Sequence, residues 1–528
     1  MSQSKTLNIK ASGMIAVAVM TSRVLGLIRE VAFNALFGAS SMGIFIIAFR
    51  APNLLRDLFA EGALSISFIT VFSKTLETQG DESAWGLASK MLTLTTVFMS
   101  ILSVLGVIFA KPIISVLAPG FSPADLQATI FLTQIMFPFI LLVSLAALVM
   151  GLLNSKDVFG MPALASSFFN IGSIVGGLFF GWLIDPQFGA KALAGLAIGT
   201  LIGGLFQLCV QFPSLRQIGF RFRPNFNWRD KRVKEILIIT LPAIIAASTV
   251  QINVLINSSF ASYVGKEAVT WLNSAFRLMQ LPIGVFGVAI ATITLPVISR
   301  IIVSEPERFG PTLARALRFA IFLTLPAAVG LWFFALPIIS LIYEHGKFLT
   351  YDAMQTAVAL QCYALGLVAY SCVKVLSPGF YAINRKWVPM FVSFAAIFLN
   401  IAMNYVFIFR LGLGHKGLAL STAISAVFNF VVLYGFMRRL HQLQTGLFLT
   451  HLLRCSIAVL ALAGVCMLSL HFGDALLMHA NFWVRLSSLF AAIGIAVVVY
   501  GSVSLLLRVE GTGELLQLLR RKKPSFEY

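Results

Sequence analysis

The sequence predicts an all-α integral membrane protein of about fourteen transmembrane helices, built as two parallel six-helix repeats followed by two further helices. Three observations carry this reading. Long apolar runs alternate with short polar breaks from end to end. Of 528 residues, 59% are hydrophobic and only 11% charged, with a mean hydropathy of +0.92; a soluble chain would carry about a quarter charged residues. The basic residues concentrate in alternate loops, the positive-inside pattern. A membrane barrel is excluded, because its strands would be segments of about ten residues with strict alternation.

Each helix follows from its own run. The first, about 11–36, lies behind Lys5 and Lys10 and superficially resembles a signal peptide, but Arg23 and Arg29 interrupt it, so it is read as a retained helix. Runs at about 42–73, 85–117, 125–154, 160–184 and 190–214 complete a first group of six. The basic stretch 216–234, read as a solvated linker, leads to a second group at about 235–262, 267–302, 311–343, 350–383, 387–409 and 416–437. Two more, about 447–471 and 482–507, stand outside both groups. Several runs exceed the ~20 residues needed to span, so they tilt, break or extend past the membrane. An even count puts both termini on one side. Lys74, Lys156, Arg300, Arg308, Arg385, Lys386, Arg438, Arg439 and the tail Arg520–Lys523 lie there, which makes that side cytoplasmic. The net charge of +19 therefore belongs to loops and does not point to nucleic acid. The five cysteines all fall inside apolar runs and form no disulfide framework or metal pair.

The two groups of six are related by a constant offset of 227 residues. Ala48-Phe49-Arg50 matches Ala275-Phe276-Arg277, Ser65-Ile66-Ser67 matches Thr292-Ile293-Thr294, Phe121 and Asp125 meet Phe348 and Asp352, and Pro162 meets Pro389. An even-numbered unit repeats in the same orientation, the arrangement in which alternating-access transporters place cargo between halves. The expected domains are thus residues 1–215, the linker 216–234, residues 235–440, and an appendage with a basic tail at 441–528.

The few charges inside apolar runs carry the functional signal. Arg23 to Arg29-Glu30 and Arg50 to Arg56-Asp57 repeat one pattern, with Glu61 just beyond the second. Arg23 shares a helix face with Glu30, and Arg50 with Asp57, so each copy can hold one arginine against a carboxylate. Gly26 and Pro52 weaken the helix within these patterns, and transporters line their sites with broken helices. The second half adds Arg277 and Lys374. A charge at the bilayer centre costs roughly 2.5–3.5 kcal/mol, so such residues are functional by default. Six cations against three acids suit a phosphate or diphosphate, which arginine binds bidentately. Two other readings stay open: snorkelling to headgroups, and a structural ion-pair network of Arg56, Asp57 and Glu61.

Other signals are weaker. Gly412-Leu413-Gly414-His415-Lys416-Gly417 has the spacing of a dinucleotide-binding loop but no soluble strand before it. The six histidines show no metal spacing, and no Walker loop occurs. Asn400 and Asn404 share a face and suit interhelical hydrogen bonding better than a cation.

The runs Ser22-Arg23-Val24-Leu25-Gly26-Leu27-Ile28-Arg29-Glu30 and Ala51-Pro52-Asn53-Leu54-Leu55-Arg56-Asp57-Leu58-Phe59-Ala60-Glu61-Gly62-Ala63 resemble signatures of the MurJ (MviN) lipid II flippases. So do Ala118-Pro119-Gly120-Phe121, Arg277-Leu278-Met279, Gly346-Lys347-Phe348 and Lys374 to Tyr381. The resemblance implies fourteen helices in the superfamily that includes the MATE drug exporters. It also implies transport of lipid II, an undecaprenyl diphosphate bearing a disaccharide-pentapeptide, across the bacterial inner membrane for peptidoglycan synthesis. The family's diphosphate-binding arginines fall on Arg23, Arg29 and Arg277, its second-helix arginine on Arg56 and its tenth-helix lysine on Lys374. Arg50 is a further candidate ligand, and Ser22, Glu30, Asp57 and Glu61 are candidate supporting or gating groups. The last two helices correspond to the lipid-tail groove. The expected unit is a monomer among membrane lipids, with cell-wall synthesis proteins as candidate partners.

The chain departs from the family at Glu30, where aspartate is usual, at Gly43, where some members have aspartate, and at Gln280, where many have glutamate. Acids used for sodium coupling in some members are missing near Asn400 and Asn404. The expectation is no cofactor, with membrane potential driving transport in preference to a coupling ion. The rivals are a flippase for another undecaprenyl-diphosphate glycan, a drug or solute exporter of the same fold, a lipid-diphosphate enzyme, and a scaffold. A drug exporter's cavity should be acidic and aromatic. An enzyme needs an acid/base or metal constellation.

Overall fold

The computed structural model describes residues 9–513 apart from Ala480; the basic tail lies outside the described residues. The regular secondary structure of these residues is entirely helical, without a β-strand, as a bilayer requires of a backbone that must satisfy its own hydrogen bonds. Ten helical stretches are long and apolar enough to cross a membrane, or eleven if the bent pair Thr350–Ala364 and Leu367–Ala382 counts as one span. The chain is therefore a multi-pass membrane protein.

The breaks have local causes. The helix Ile9–Leu55 turns at Gly38, whose φ is 73°, and Leu64–Ile108 turns at Gly80, whose φ is 77°. Both turns fall in polar gaps predicted from the sequence. A side chain at such φ costs about 1–2 kcal/mol. Ser122 caps Pro123–Met136 by accepting from the Asp125 amide, and Asn481 caps Phe482–Leu506 through the Trp483 amide.

By packing, the chain divides into two compact units. The first is Met1–Val269 together with Gly346–Phe348. It includes the helix Lys231–Val264, which follows the linker. Its core gathers Phe68, Phe72, Leu87 and Leu152 around one cluster and Phe33, Phe37, Met136 and Leu196 around another. The tripeptide is held by its backbone and one lysine: the Lys347 amide donates to the Ala35 carbonyl at 2.7 Å, and Lys347 Nζ to the carbonyls of Gln187 and Phe188 at 2.8 and 2.9 Å. A Cβ at position 346 would lie 2.3 Å from the Ala35 oxygen, so only glycine fits. The Gly-Lys-Phe motif thus supplies a donor to a carbonyl at the end of the first span.

The second unit is Thr270–His345 with Leu349–Tyr528. Its appended helices, Thr445–Leu477 and Phe482–Leu506, pack on each other and on Pro306–Phe333. Two polar ties fix them. Tyr500 donates to the Phe322 carbonyl at 2.8 Å, and the buried Arg318 grips Glu510 with Nε at 2.5 Å and Nη2 at 3.1 Å. Glu510 is itself exposed, but removing it strands the buried Arg318 guanidinium. Glu510→Ala should therefore cost about 2 kcal/mol and lower the thermal midpoint in detergent, whereas Glu305→Ala, removing a pair with Arg308 in which both side chains are exposed, should change stability by under ~1 kcal/mol.

Candidate functional site

In the first unit, Ser22, Arg23, Arg29, Glu30 and Arg50 all lie on Ile9–Leu55. The helix keeps helical geometry through Gly26 and breaks only at Gly38. Arg23 is exposed, Arg29 half-buried and Glu30 buried. The Arg29 guanidinium lies 5.0 Å from the centroid of the Phe169 ring. The neighbouring Asn170 donates to the Ser22 carbonyl at 3.1 Å. Two adjacent residues of Gly160–Ile184 thus hold the arginine segment at both ends, one through its backbone and one through its cation.

Arg50 donates from Nε to Ser258 Oγ at 3.0 Å. Beyond Pro52 the backbone widens into a π-helix over Arg56–Ala63. π-Segments are frequent at functional sites. Here Asp57 acts as a hub. Its Oδ1 accepts from Arg56 Nε and Nη2 at 3.1 and 2.8 Å, and its Oδ2 accepts from Asn53 and Gln251 at 3.3 and 3.1 Å. Four donors fill the carboxylate's acceptor sites. Arg56 is thus directed at Asp57, the structural pairing left open by the sequence. The Glu61 side chain lies outside the described residues.

In the second unit, the half-buried Arg277 lies on Lys266–Pro282, just ahead of a second π-helix, Ile283–Val288. Lys374 is exposed on Leu367–Ala382. Ser371, one turn before it, packs against that π-segment: a Cβ on Gly287 would lie 3.2 Å from Ser371. Asn400, Asn404 and Ser421 are buried and hydrogen-bond one another, Asn404 Nδ2 to Asn400 Oδ1 at 3.2 Å and Asn400 Nδ2 to Ser421 Oγ at 3.3 Å, with Ser421 Oγ also donating to Asn404 Oδ1. Among the described residues no group of three or more His, Cys, Asp or Glu is placed to hold a metal ion.

One departure from the family pattern has a packing cause. A Cβ on Gly43 would lie 1.9 Å from the Lys266 carbonyl oxygen, so no side chain fits there. Lys266 instead pairs with Asp125 at 2.9 Å.

Sequence reasoning missed Phe169, Asn170, Gln251 and Ser258 as supporting groups. A signal existed for two of them: Gln251 and Ser258 are i and i+7 on Lys231–Val264, a polar stripe along one face of an apolar helix. Phe169 gave none, since an aromatic in an apolar run reads as core. The site as built presents anchored guanidinium groups from apolar helices, which suits recognition of a phosphate ester or diphosphate.

Residues 33–487 match the family described as Lipid II flippase MurJ. A relative from Bdellovibrio bacteriovorus, "Probable lipid II flippase MurJ", is 32% identical over 98% of this chain and 97% of its own. A solved structure, "Lipid II flippase MurJ, inward closed conformation", superposes with a TM-score of 0.76 at 27% identity, covering 94% of this chain and 98% of that one. An inward-facing MATE transporter superposes with a TM-score of 0.67 at 16% identity over 80% and 97%, a likeness of fold alone. Motifs, architecture and full-length similarity agree, and the chain belongs to the MurJ lipid II flippase family.

Proposed function

We propose that this protein is a transporter that flips lipid II from the inner to the outer leaflet of the bacterial inner membrane by alternating access. The observation that carries this is the pair Arg23 and Arg29 within an apolar helix of a chain belonging to this family, with Arg29 set over Phe169. These arginines bind the diphosphate. Arg277 and Lys374 are the cations that the second unit contributes to the same cargo, with Arg50 and Arg56 as further ligands and Glu30, Asp57 and Glu61 as the balancing acids. Bound diphosphate screens the repulsion among the arginines and so favours closure around cargo. The prenyl tail rests in lipid or along the appended helices, whose Leu453, Leu460 and Met467 form an exposed apolar stripe.

The fourteen-span reading divides Val17–Ile108 into three at Gly38 and Gly80, takes the bent pair as one span, and adds Lys231–Val264. Two backbone features support the parallel repeat. Gly38 and Gly265, both with positive φ, are 227 residues apart, and so are the starts of the π-segments at Arg56 and Ile283. The loop charge bias supports cytoplasmic termini. The protein works as a monomer, and cell-wall synthesis proteins are its proposed neighbours. Membrane potential drives the step: an interior-negative potential favours outward movement of an anion by about 2.3 kcal/mol per charge per 100 mV.

The test is leaflet-resolved lipid II in cells depleted of this protein, read by an enzyme that cleaves lipid II from outside. Outer-leaflet lipid II should fall on depletion, return on re-expression, and fall again when the potential is dissipated. An unchanged level on depletion, in a strain with no other flippase, would mean a different cargo.

A further inference from the structure

The linker between the halves is a built surface strap. Residues 220–230 run without regular structure alongside the helix Leu64–Ile108. The amides of Arg223 and Asn225 donate to the hydroxyls of Ser89 and Thr93 at 3.3 and 3.2 Å. Phe220, buried, packs edge-on against Trp85 at 5.4 Å, and Lys156 covers that indole at 4.9 Å. At the far end Asp230 binds Lys90 at 2.6 Å and Arg232 at 3.1 Å, while Arg232 reaches Ser83 and Gln79 at 2.6 and 3.0 Å. Hydrogen bonds from Arg232, and then from Lys90, hold the Asp230 carboxyl well below the usual carboxylate range. A depressed pKa stabilises the clamp above the ordinary carboxylate pKa and is lost only as pH falls through the depressed value, so the clamp stays set at neutral pH.

This anchoring leaves a distinctive face outward. Phe222, Phe226 and Trp228 are 51%, 63% and 61% exposed, interleaved with the exposed Arg221, Arg223 and Arg229. From Arg216 to Lys234 there are seven basic residues and one acid. The depth is informative. On the part of Leu64–Ile108 that follows the turn at Gly80 and holds the strap, the exposed apolar surface begins at Val97 and Phe98, about 6 Å beyond Thr93 at 1.5 Å per residue. On the helix that follows the strap it begins at Leu237, about 9 Å beyond Lys231. The strap therefore lies at the edge of the apolar belt, where aromatic rings and arginines meet headgroups.

We infer that residues 221–229 form a docking surface for anionic phospholipid headgroups of the cytoplasmic leaflet, with Phe222, Phe226 and Trp228 inserted at the interface and Arg221, Arg223 and Arg229 on the phosphates. Charge complementarity selects an anionic leaflet over a zwitterionic one. The inference rests on the proposed orientation for the leaflet it names and is independent of the cargo.

The test uses the full-length protein in nanodiscs of phosphatidylcholine alone or mixed with phosphatidylglycerol. Trypsin can cut after Arg221 and Arg229, but not after Arg223, which precedes Pro224. Cleavage should slow about tenfold in the anionic discs. The triple variant Phe222→Ser, Phe226→Ser, Trp228→Ser should lose that protection. Headgroup-brominated phosphatidylglycerol should quench wild-type fluorescence more than that of Trp228→Phe, a variant that keeps the aromatic ring and removes one indole. Equal cleavage rates in the two discs, or quenching unaffected by Trp228→Phe, would overturn the inference and assign this face to a protein partner.

Discussion

Arg29→Ala should reduce outer-leaflet lipid II to the level of depleted cells while leaving the protein folded and in the membrane. Arg29 is half-buried, and its guanidinium is aimed by Phe169 at 5.0 Å. Losing a charge-assisted hydrogen-bonding group costs about 1.5–3 kcal/mol, which is about 10- to 150-fold in diphosphate affinity. Because closure also depends on the bound anion screening the arginines, binding and conformational change fail together. Arg29→Lys keeps the charge without the planar fork and should give intermediate transport. Phe169→Ala keeps the cation and removes its platform, a loss of about 0.5–2 kcal/mol, and should lower transport less than Arg29→Ala. Arg29→Ala gives up the same contact with Phe169 and gains back the desolvation cost of the cation, so the thermal midpoint should shift by no more than about 2 kcal/mol of stability allows and the membrane level should hold. Full transport by Arg29→Ala would sink the assignment of this arginine.

Much of this architecture is legible in the amino-acid sequence. The turns at Gly38 and Gly80 lie in the gaps between expected spans at 37–41 and 74–84, because glycine and polar residues punctuate apolar runs for the same physical reasons in any fold. The arginines stand out because charge is costly in apolar context. The π-segments do not, since a widened hydrogen-bond register leaves no mark in composition. Nor does the Asp57 hub: Gln251, nearly two hundred residues away, reaches it only through tertiary packing. The helix Lys231–Val264 shows a deeper limit. The 227-residue offset groups it with the second half, whereas its packing belongs to the first unit. An offset records sequence likeness between segments, while packing records which faces are complementary, and one can diverge from the other.

The same glycine-to-alanine change should have opposite signs at two sites, and the destabilising one should be among the most damaging single-methyl changes in the protein. Gly160–Ile184 and Leu193–Cys209 cross with backbone against backbone. A Cβ on Gly199 would lie 2.3 Å from the Gly177 nitrogen, 2.4 Å from its Cα and 2.9 Å from the Ser173 oxygen. No rotamer can relieve a clash with main chain, so the helices must separate and forfeit the close packing that holds membrane helices together. Overpacking usually costs 1–3 kcal/mol where side chains can yield; here Gly199→Ala should cost about 3 kcal/mol or more. The displaced helix also carries Phe169 and Asn170, which aim Arg29 and fix Ser22. Transport should therefore fall with stability, in a variant that touches no charge. At Gly464, on Thr445–Leu477, a Cβ would meet nothing within 4 Å, so Gly464→Ala should gain up to about 1 kcal/mol from helix propensity alone. Thermal midpoints of both variants in one detergent decide the matter. A neutral Gly199→Ala would mean that the two helices are not in backbone contact, and the route by which Gly160–Ile184 positions the arginine helix would have to be redrawn.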